Sequence, residues 1–298
     1  WGMDPLPGVR LTVINPGPTA PYTGMLPGYV AGHYQRDDLE IDLVRLCQHA
    51  GARLILDKAI GIDREVRKIV LQTQPDVMYD VGSIDVGITA EMDVLGFSEH
   101  GIGAKPLDRY AEAWQQFLKA VSEGKRRPEV AVIGGGVAGC ELALAMAFAL
   151  KEVGAAPQVT VIERGPGLTG VGARAGRRLP AEMATSGVTV LVNATVKAVE
   201  AGRVTLIEKD PVAAVFCVGA AGAFAHHWIA QTDLPQKNGF IEVDPDLGVQ
   251  GDRTLFAVGD CANMSHAPRP KAGVFAVRAA PVLHHNLRAT LSGQARRT

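Results

Sequence analysis

The chain has 298 residues, which at roughly 100–200 residues per domain predicts two domains. Its 30 basic and 31 acidic side chains leave a formal net charge of −1, so the basic face that nucleic-acid phosphates require is not available and nucleic acid is excluded as a partner. Apolar residues make up 47% of the chain, enough for a sizeable core, yet no apolar run reaches the roughly 18–20 residues of a bilayer span.

In chain order, Arg10 to Asn15 reads as a β-branched strand closed by Pro16-Gly17-Pro18. The Gly- and Pro-rich run from Pro21 to His33 predicts a shaped loop. Ile41 to Ala50 has helical periodicity with Gly51 as its stop, and Arg53 to Leu56 predicts a strand. Further strands are expected over 68–72 and 77–86. From Pro106 to Gly124, Leu107, Tyr110, Trp114, Phe117, Leu118 and Val121 recur at helical spacing, with Pro106 in a first-turn position. Trp114 and Phe117 are read as core, and Lys125-Arg126-Arg127 as a solvated turn.

Glu129 to Ile133 then reads as a buried strand, Gly134 to Gly139 as a turn, and Cys140 to Lys151 as a helix. Strand Gln158–Ile162 ends at Glu163. A helix is expected over 174–186, with strands over 188–192, 203–207 and 213–218, the last entering Gly219-Ala-Ala-Gly222. Thr254 to Val258 reads as a strand entering Gly259-Asp260, and a final helix follows from about Val274.

The strongest chemical signal is Gly134-x-Gly136-x-x-Gly139, because it has a strand before it, a helix after it and a second strand ending in an acid. Gly134 permits the turn, and Gly136 lets a diphosphate approach the amides of Val137 and Ala138 at the helix start. Gly139 lets helix and strand pack closely. Glu163 is placed to accept from a ribose diol, so NADH is expected in preference to NADPH, although Arg164 beside it works the other way. Asp260 stands at a strand's C-terminal edge, where it serves either a ligand or a local cap.

The stretches 132–142, 254–260 and 270–276 resemble flavoproteins with two dinucleotide-binding domains, the pyridine nucleotide-disulfide oxidoreductases. Type II NADH dehydrogenases and sulfide:quinone reductases are among them. The run Pro21 to Tyr34 is similar to a narrower dehydrogenase-like group sometimes fused to selenide, water dikinase. The resemblance implies an α/β FAD/NAD(P)-binding doubly wound fold, with a nicotinamide-binding Rossmann-like domain (106–210) inserted into a split flavin domain (1–105 and 211–298). It implies FAD and NADH as cofactors, hydride transfer to flavin, and a quinone-like small-molecule acceptor. Asp260, after Gly259, is implied for the ribityl chain of FAD, and Lys271, Ala272, Gly273 and Val274 lie near its ring. Gly219 matches the second chain crossover, usually Ala-Thr-Gly, and Asp85 to Ala90 matches the first. Glu141 corresponds to a family glutamate near the nicotinamide and flavin rings, with a first-turn acid that complements the helix dipole as the alternative.

Two departures from the family stand out. The family's flavin domain opens with a strand and a glycine-rich loop ahead of the strand that here is Leu11 to Ile14, so the sequence, starting at Trp1, is expected to lack that diphosphate cradle. Asn15 replaces an acid often found at that strand's end. A flavin-free, inactive nucleotide-binding fragment is therefore the alternative reading, and a flavin-free NAD-only dehydrogenase a weaker one. In addition, Cys47, Cys140, Cys217 and Cys261 lack the spacing of a redox disulfide or a zinc site, and each of Cys140 and Cys261 is read as a buried small hydrophobe. The adjacent histidines His226-His227 and His284-His285 point in different directions on a helix, so no metal is expected. The cysteine pattern predicts a reduced, cytoplasmic setting. Attachment to the inner membrane face and homodimerisation stay open.

Overall fold

The computed structural model describes residues 1–89, 92–104, 107–170 and 172–298. It divides into two compact units: Trp1–Pro21, Glu40–Ile88 and Phe224–Thr298 form the first, Tyr22–Leu39 and Thr89–Ala223 the second. In chain order, the first unit contributes β1 (Thr12–Asn15), α1 (Leu43–Ala50), β2 (Arg53–Leu56) and β3 (Gly82–Ile84). The second contributes β4 (Ile102–Gly103), α2 (Leu107–Ser122), β5 (Glu129–Ile133), α3 (Val137–Glu152), β6 (Gln158–Ile162), α4 (Ala173–Thr185), β7 (Val188–Leu191) and β8 (Phe216–Gly219). The first unit resumes with β9 (Leu255–Ala257) and α5 (Gly273–Leu291). Pro106 and Ala90, named in the sequence reading, lie outside the described residues.

The second unit is built on a parallel sheet in the order β7-β6-β5-β8-β4. All five residues of β5 are buried, as expected for a central parallel strand covered on both faces. Its side chains alternate between two cores. Val130 and Val132 join Trp114, Phe117, Met146 and Phe216 on the helical face. Ala131 and Ile133 join Val199, Val204 and Leu206 on the other, under the antiparallel meander Val196–Glu200, Arg203–Leu206 and Val212–Ala213. The strand Val196–Glu200 was not evident from sequence.

The expected loop at 21–33 contains a short helix, Leu26–Val30, with Pro27 in its first turn, where a missing N–H costs no bond. Leu26, Tyr29, Val30 and Leu39 are buried in the helical-face core, which is why Tyr22–Leu39 groups with the second unit. Trp114 fixes this segment, its Nε1 donating to the Val30 carbonyl at 3.1 Å. The compact units thus change over at 21/22, 39/40, 88/89 and 223/224.

In the first unit, β1 pairs with β2 and β3 pairs with β9, both in parallel. The meander Ala59–Asp63, Lys68–Leu71 and Val77–Met78 runs between β2 and β3, as the second unit's meander runs between β7 and β8. The strand expected over 77–86 is therefore two, broken by a turn. The order β2-β1 and β3-β9 matches β7-β6 and β8-β4 of the second unit. Among the described residues the first unit has no counterpart of β5, and its parallel strands form two separate pairs. Strand β9 also alternates, with Leu255 and Ala257 in one core and Phe256 against Val282, Leu283 and Leu287 of α5 in another. Among the described residues no helix is long and apolar enough to cross a membrane.

Candidate functional site

The turn between β5 and α3 is held by contacts that few residues other than glycine permit. Gly134 has φ +115°, and a Cβ there would lie 2.7 Å from the Ala221 amide nitrogen. A Cβ on Gly139 would strike the Gly134 carbonyl oxygen, so helix and strand meet backbone to backbone. Helix α3 starts with Gly136 as its N-cap and no side-chain cap bond. The first intrahelical bond is Cys140 N to Gly136 O at 3.0 Å, so the amides ahead of it point out of the helix start, where an anion is favoured. The amides of Gly136, Val137 and Ala138 thus lie together at this helix start. A Cβ at Gly136 would meet only Thr169 Oγ1, at 3.7 Å, so its smallness is not demanded by the protein itself.

Glu163 follows β6 and turns back onto the glycine turn. Its Oε2 accepts from Gly135 N at 2.8 Å and its Oε1 from Gly165 N at 2.6 Å. Thr169 N donates to Gly135 O at 2.9 Å, which ties the loop after Glu163 to the glycine turn. The carboxylate keeps acceptor capacity beyond these two bonds. The contributions of Gly135, Gly165 and Thr169 were missed in sequence, because backbone partners leave no residue-type signal. Gly219 ends β8 opposite Ile133 and packs against Met92 and Phe97. Ala220 N donates to Ile133 O at 2.8 Å. All of these lie at the C-terminal edge of one parallel sheet, the edge at which such sheets bind ligands.

Glu141 is exposed on α3. Because the helix starts at Val137 and not at Cys140, its first turn holds no acid, and the alternative reading of Glu141 as a first-turn dipole partner is corrected. Burial raises the Cys140 thiol pKa, with Glu141 and Glu163 adding to the effect.

In the first unit, β9 ends in a turn of 3₁₀ helix carrying Gly259, Asp260 and Cys261. Cys261 is buried, its Sγ 3.1 Å from Val258 O and 3.5 Å from Ile84 O. Burial pushes this thiol up to about 11, and that of Cys217 up to about 12. All four cysteines are free and buried, so none has the exposed thiolate character of a redox pair. Lys271 Nζ donates to Ala262 O at 2.5 Å and lies 4.0 Å from the Phe240 ring centroid. Burial lowers its pKa, opposed by Asp260 and Cys261. Ala272 is the N-cap of α5, with no side-chain cap bond; a Cβ on Gly273 would meet open space, and Val274 is exposed. One carboxylate escaped notice as a charge: Asp85, at the end of β3, beside Gly259.

The family model described as pyridine nucleotide-disulphide oxidoreductase matches residues 5–280. The chain belongs to this family. Among curated proteins it is 24% identical over 267 residues to the NADH dehydrogenase-like protein YutJ of Bacillus subtilis, covering 87% of this chain and 71% of that protein. It is 25% identical over 229 residues to the demethylphylloquinone reductase NdbB of Synechocystis, covering 74% of this chain and 56% of that protein. The chain thus spans little more than half the length of the second relative. Among solved structures, the sulfide:quinone oxidoreductase of Aquifex aeolicus aligns with a TM-score of 0.83 at 20% identity, over 97% of this chain and 72% of that one. At that identity the likeness concerns the fold, which is the α/β FAD/NAD(P)-binding class expected from sequence.

Proposed function

We propose that this chain carries the nucleotide sites of a flavin-dependent NADH oxidoreductase, which passes a hydride from NADH to FAD and electrons onward to a quinone-like acceptor. The observation that carries the reading is the Gly134–Gly139 turn with Glu163 folded onto it, in which a Cβ at Gly134 or Gly139 would collide with protein while one at Gly136 would enter the open seat. In this reading the NADH diphosphate rests on the amides of Gly136, Val137 and Ala138, and Glu163 accepts from the adenosine ribose. A 2′-phosphate would meet that carboxylate's charge, which favours NADH over NADPH. The curated relatives, named as an NADH dehydrogenase-like protein and a quinone reductase, support the same direction.

Residues 106–210 are assigned to NADH, and residues 1–105 and 211–298 to FAD. Flavin, when bound, supplies the ring that accepts hydride and releases electrons to the second acceptor. Asp260 would hold the ribityl chain with Gly259 allowing close approach, Lys271 to Val274 would line the ring, and Gly219 would close the nucleotide domain. Glu141, two residues after Gly139, is the catalytic carboxylate of the proposal. A cytoplasmic enzyme meeting its quinone at the inner membrane face fits this chemistry.

The test is an absorption spectrum of the purified chain supplied with FAD, before and after anaerobic NADH. Flavin bands that bleach with NADH, and much more slowly with NADPH, are expected. A colourless protein that binds NADH but retains no flavin would overturn the proposal.

A further inference from the structure

The two units share a register that isolates one side chain. In the second unit, Gly219 pairs with Gly103 and its carbonyl accepts from Ala104 N at 3.0 Å. In the first, Ile84 pairs with Ala257 and its carbonyl accepts from Val258 N at 3.0 Å. Ile84 and Gly219 are therefore equivalent, and three residues further on Gly87 (φ +67°) matches Gly222 (φ +83°). Asp85 then occupies the place of Ala220. A methyl group suffices for this crossover in one unit, so the fold does not require the carboxylate of the other.

The surroundings of Asp85 make room for that carboxylate. Gly259 has φ +68°, and a Cβ there would collide with Asp85 Oδ1. Asp85 stays accessible to solvent at the C-terminal end of β3, beside the end of β9 that carries Asp260. The other ionisable groups around this edge are Cys261, with its Sγ on the Ile84 carbonyl, Lys271 on the Ala262 carbonyl, and His226, whose Nε2 is 2.8 Å from the Val86 carbonyl. We propose that Asp85 is a polyol-binding residue that acts with Asp260 on adjacent hydroxyls of a ribityl chain, Asp85 donating and Asp260 accepting. Crowding by protein raises the Asp85 pKa, and the charge of Asp260 raises it further. A carboxyl group kept neutral is a hydrogen-bond donor, whereas an ionised one only accepts. Binding above the raised pKa would take up one proton from solvent.

This inference rests on the flavin assignment and is tested with two probes, riboflavin and lumiflavin, which share a ring but differ in the polyol. Quenching of their fluorescence is titrated with the full chain and with Asp85→Ala and Asp85→Asn between pH 4 and 9. Asp85→Ala should weaken riboflavin about tenfold or more at the acid end of that range and leave lumiflavin unchanged. Wild-type affinity for riboflavin should fall as pH rises through the raised pKa, while Asp85→Asn stays flat. Equal binding of riboflavin by wild type and Asp85→Ala, or equal loss of both probes, overturns this inference alone. A wild-type chain that binds neither probe overturns the flavin assignment and this inference with it. Urea unfolding gives a readout without ligand. A raised folded-state pKa destabilises as pH rises, so Asp85→Asn should gain on wild type from pH 4 to 8, and a constant difference would contradict the pairing.

Discussion

Gly136→Ala separates the two reasons a glycine can stand in a nucleotide turn. Gly136 has φ −76° and ψ 174°, which alanine adopts freely, and its Cβ would have Thr169 Oγ1 as its nearest neighbour at 3.7 Å. Reduced freedom of the unfolded chain stabilises by ~0.4–1 kcal/mol, while alanine as an N-cap costs about as much, so net stability should move by less than ~1 kcal/mol. Binding should respond very differently. A methyl group on the seat would hold the diphosphate away from amide donors, and losing two charge-assisted bonds at ~1.5 kcal/mol each is a loss of roughly a hundredfold. Isothermal titration with NADH measures the affinity, and urea unfolding the stability. Gly139→Ala is the contrast, since its Cβ collides with backbone and should damage the fold itself. Gly136→Ala protein that folds normally and binds NADH within about threefold of wild type would refute the assignment of the seat.

Glu163→Ala removes two backbone bonds of 2.8 and 2.6 Å, so a stability loss of about 2–3 kcal/mol is expected, together with a tenfold or greater rise in the NADPH-to-NADH affinity ratio. An unchanged ratio by isothermal titration would show that this carboxylate does not read the ribose. The four cysteines, buried and with raised thiol pKa values, should resist a thiol reagent at pH 8 until the chain is unfolded, when all four react. Rapid labelling of native protein would contradict the structure. Trp114→Ala empties a site in contact with Phe117 and Phe216 and frees the Val30 carbonyl, and should cost about 3–5 kcal/mol in urea unfolding. Limited proteolysis should then cut first within Tyr22–Leu39.

Much of the second unit was legible because its strands and helices differ in period. The runs Glu129–Ile133 and Gln158–Ile162 are short and rich in β-branched residues, the first buried throughout and the second mostly so, and the structure returns the same bounds. Trp114, Tyr110 and Phe117 keep helical spacing and are fully buried. What sequence did not reveal depends on partners far along the chain. The meander strand Val196–Glu200 owes its stability to pairing with Arg203–Leu206, not to its own residues. The short helix at Leu26–Val30 forms because its apolar face is buried beneath Trp114 and Phe148's helix, although glycine and proline argue locally for a loop. Glu163 was singled out for a ligand, but its bonds to Gly135 and Gly165 need three dimensions to be seen. Asp85 passed as a crossover residue because the register linking it to Ala220 exists only in the sheets.

The most direct test is to locate NADH on the chain by amide chemical-shift perturbation in a ¹⁵N-labelled sample. The account predicts the largest shifts at Gly135 to Cys140, Glu163 and Gly165, saturating together as NADH is added. Saturable shifts confined to other residues, with the α3 start unmoved, would contradict it.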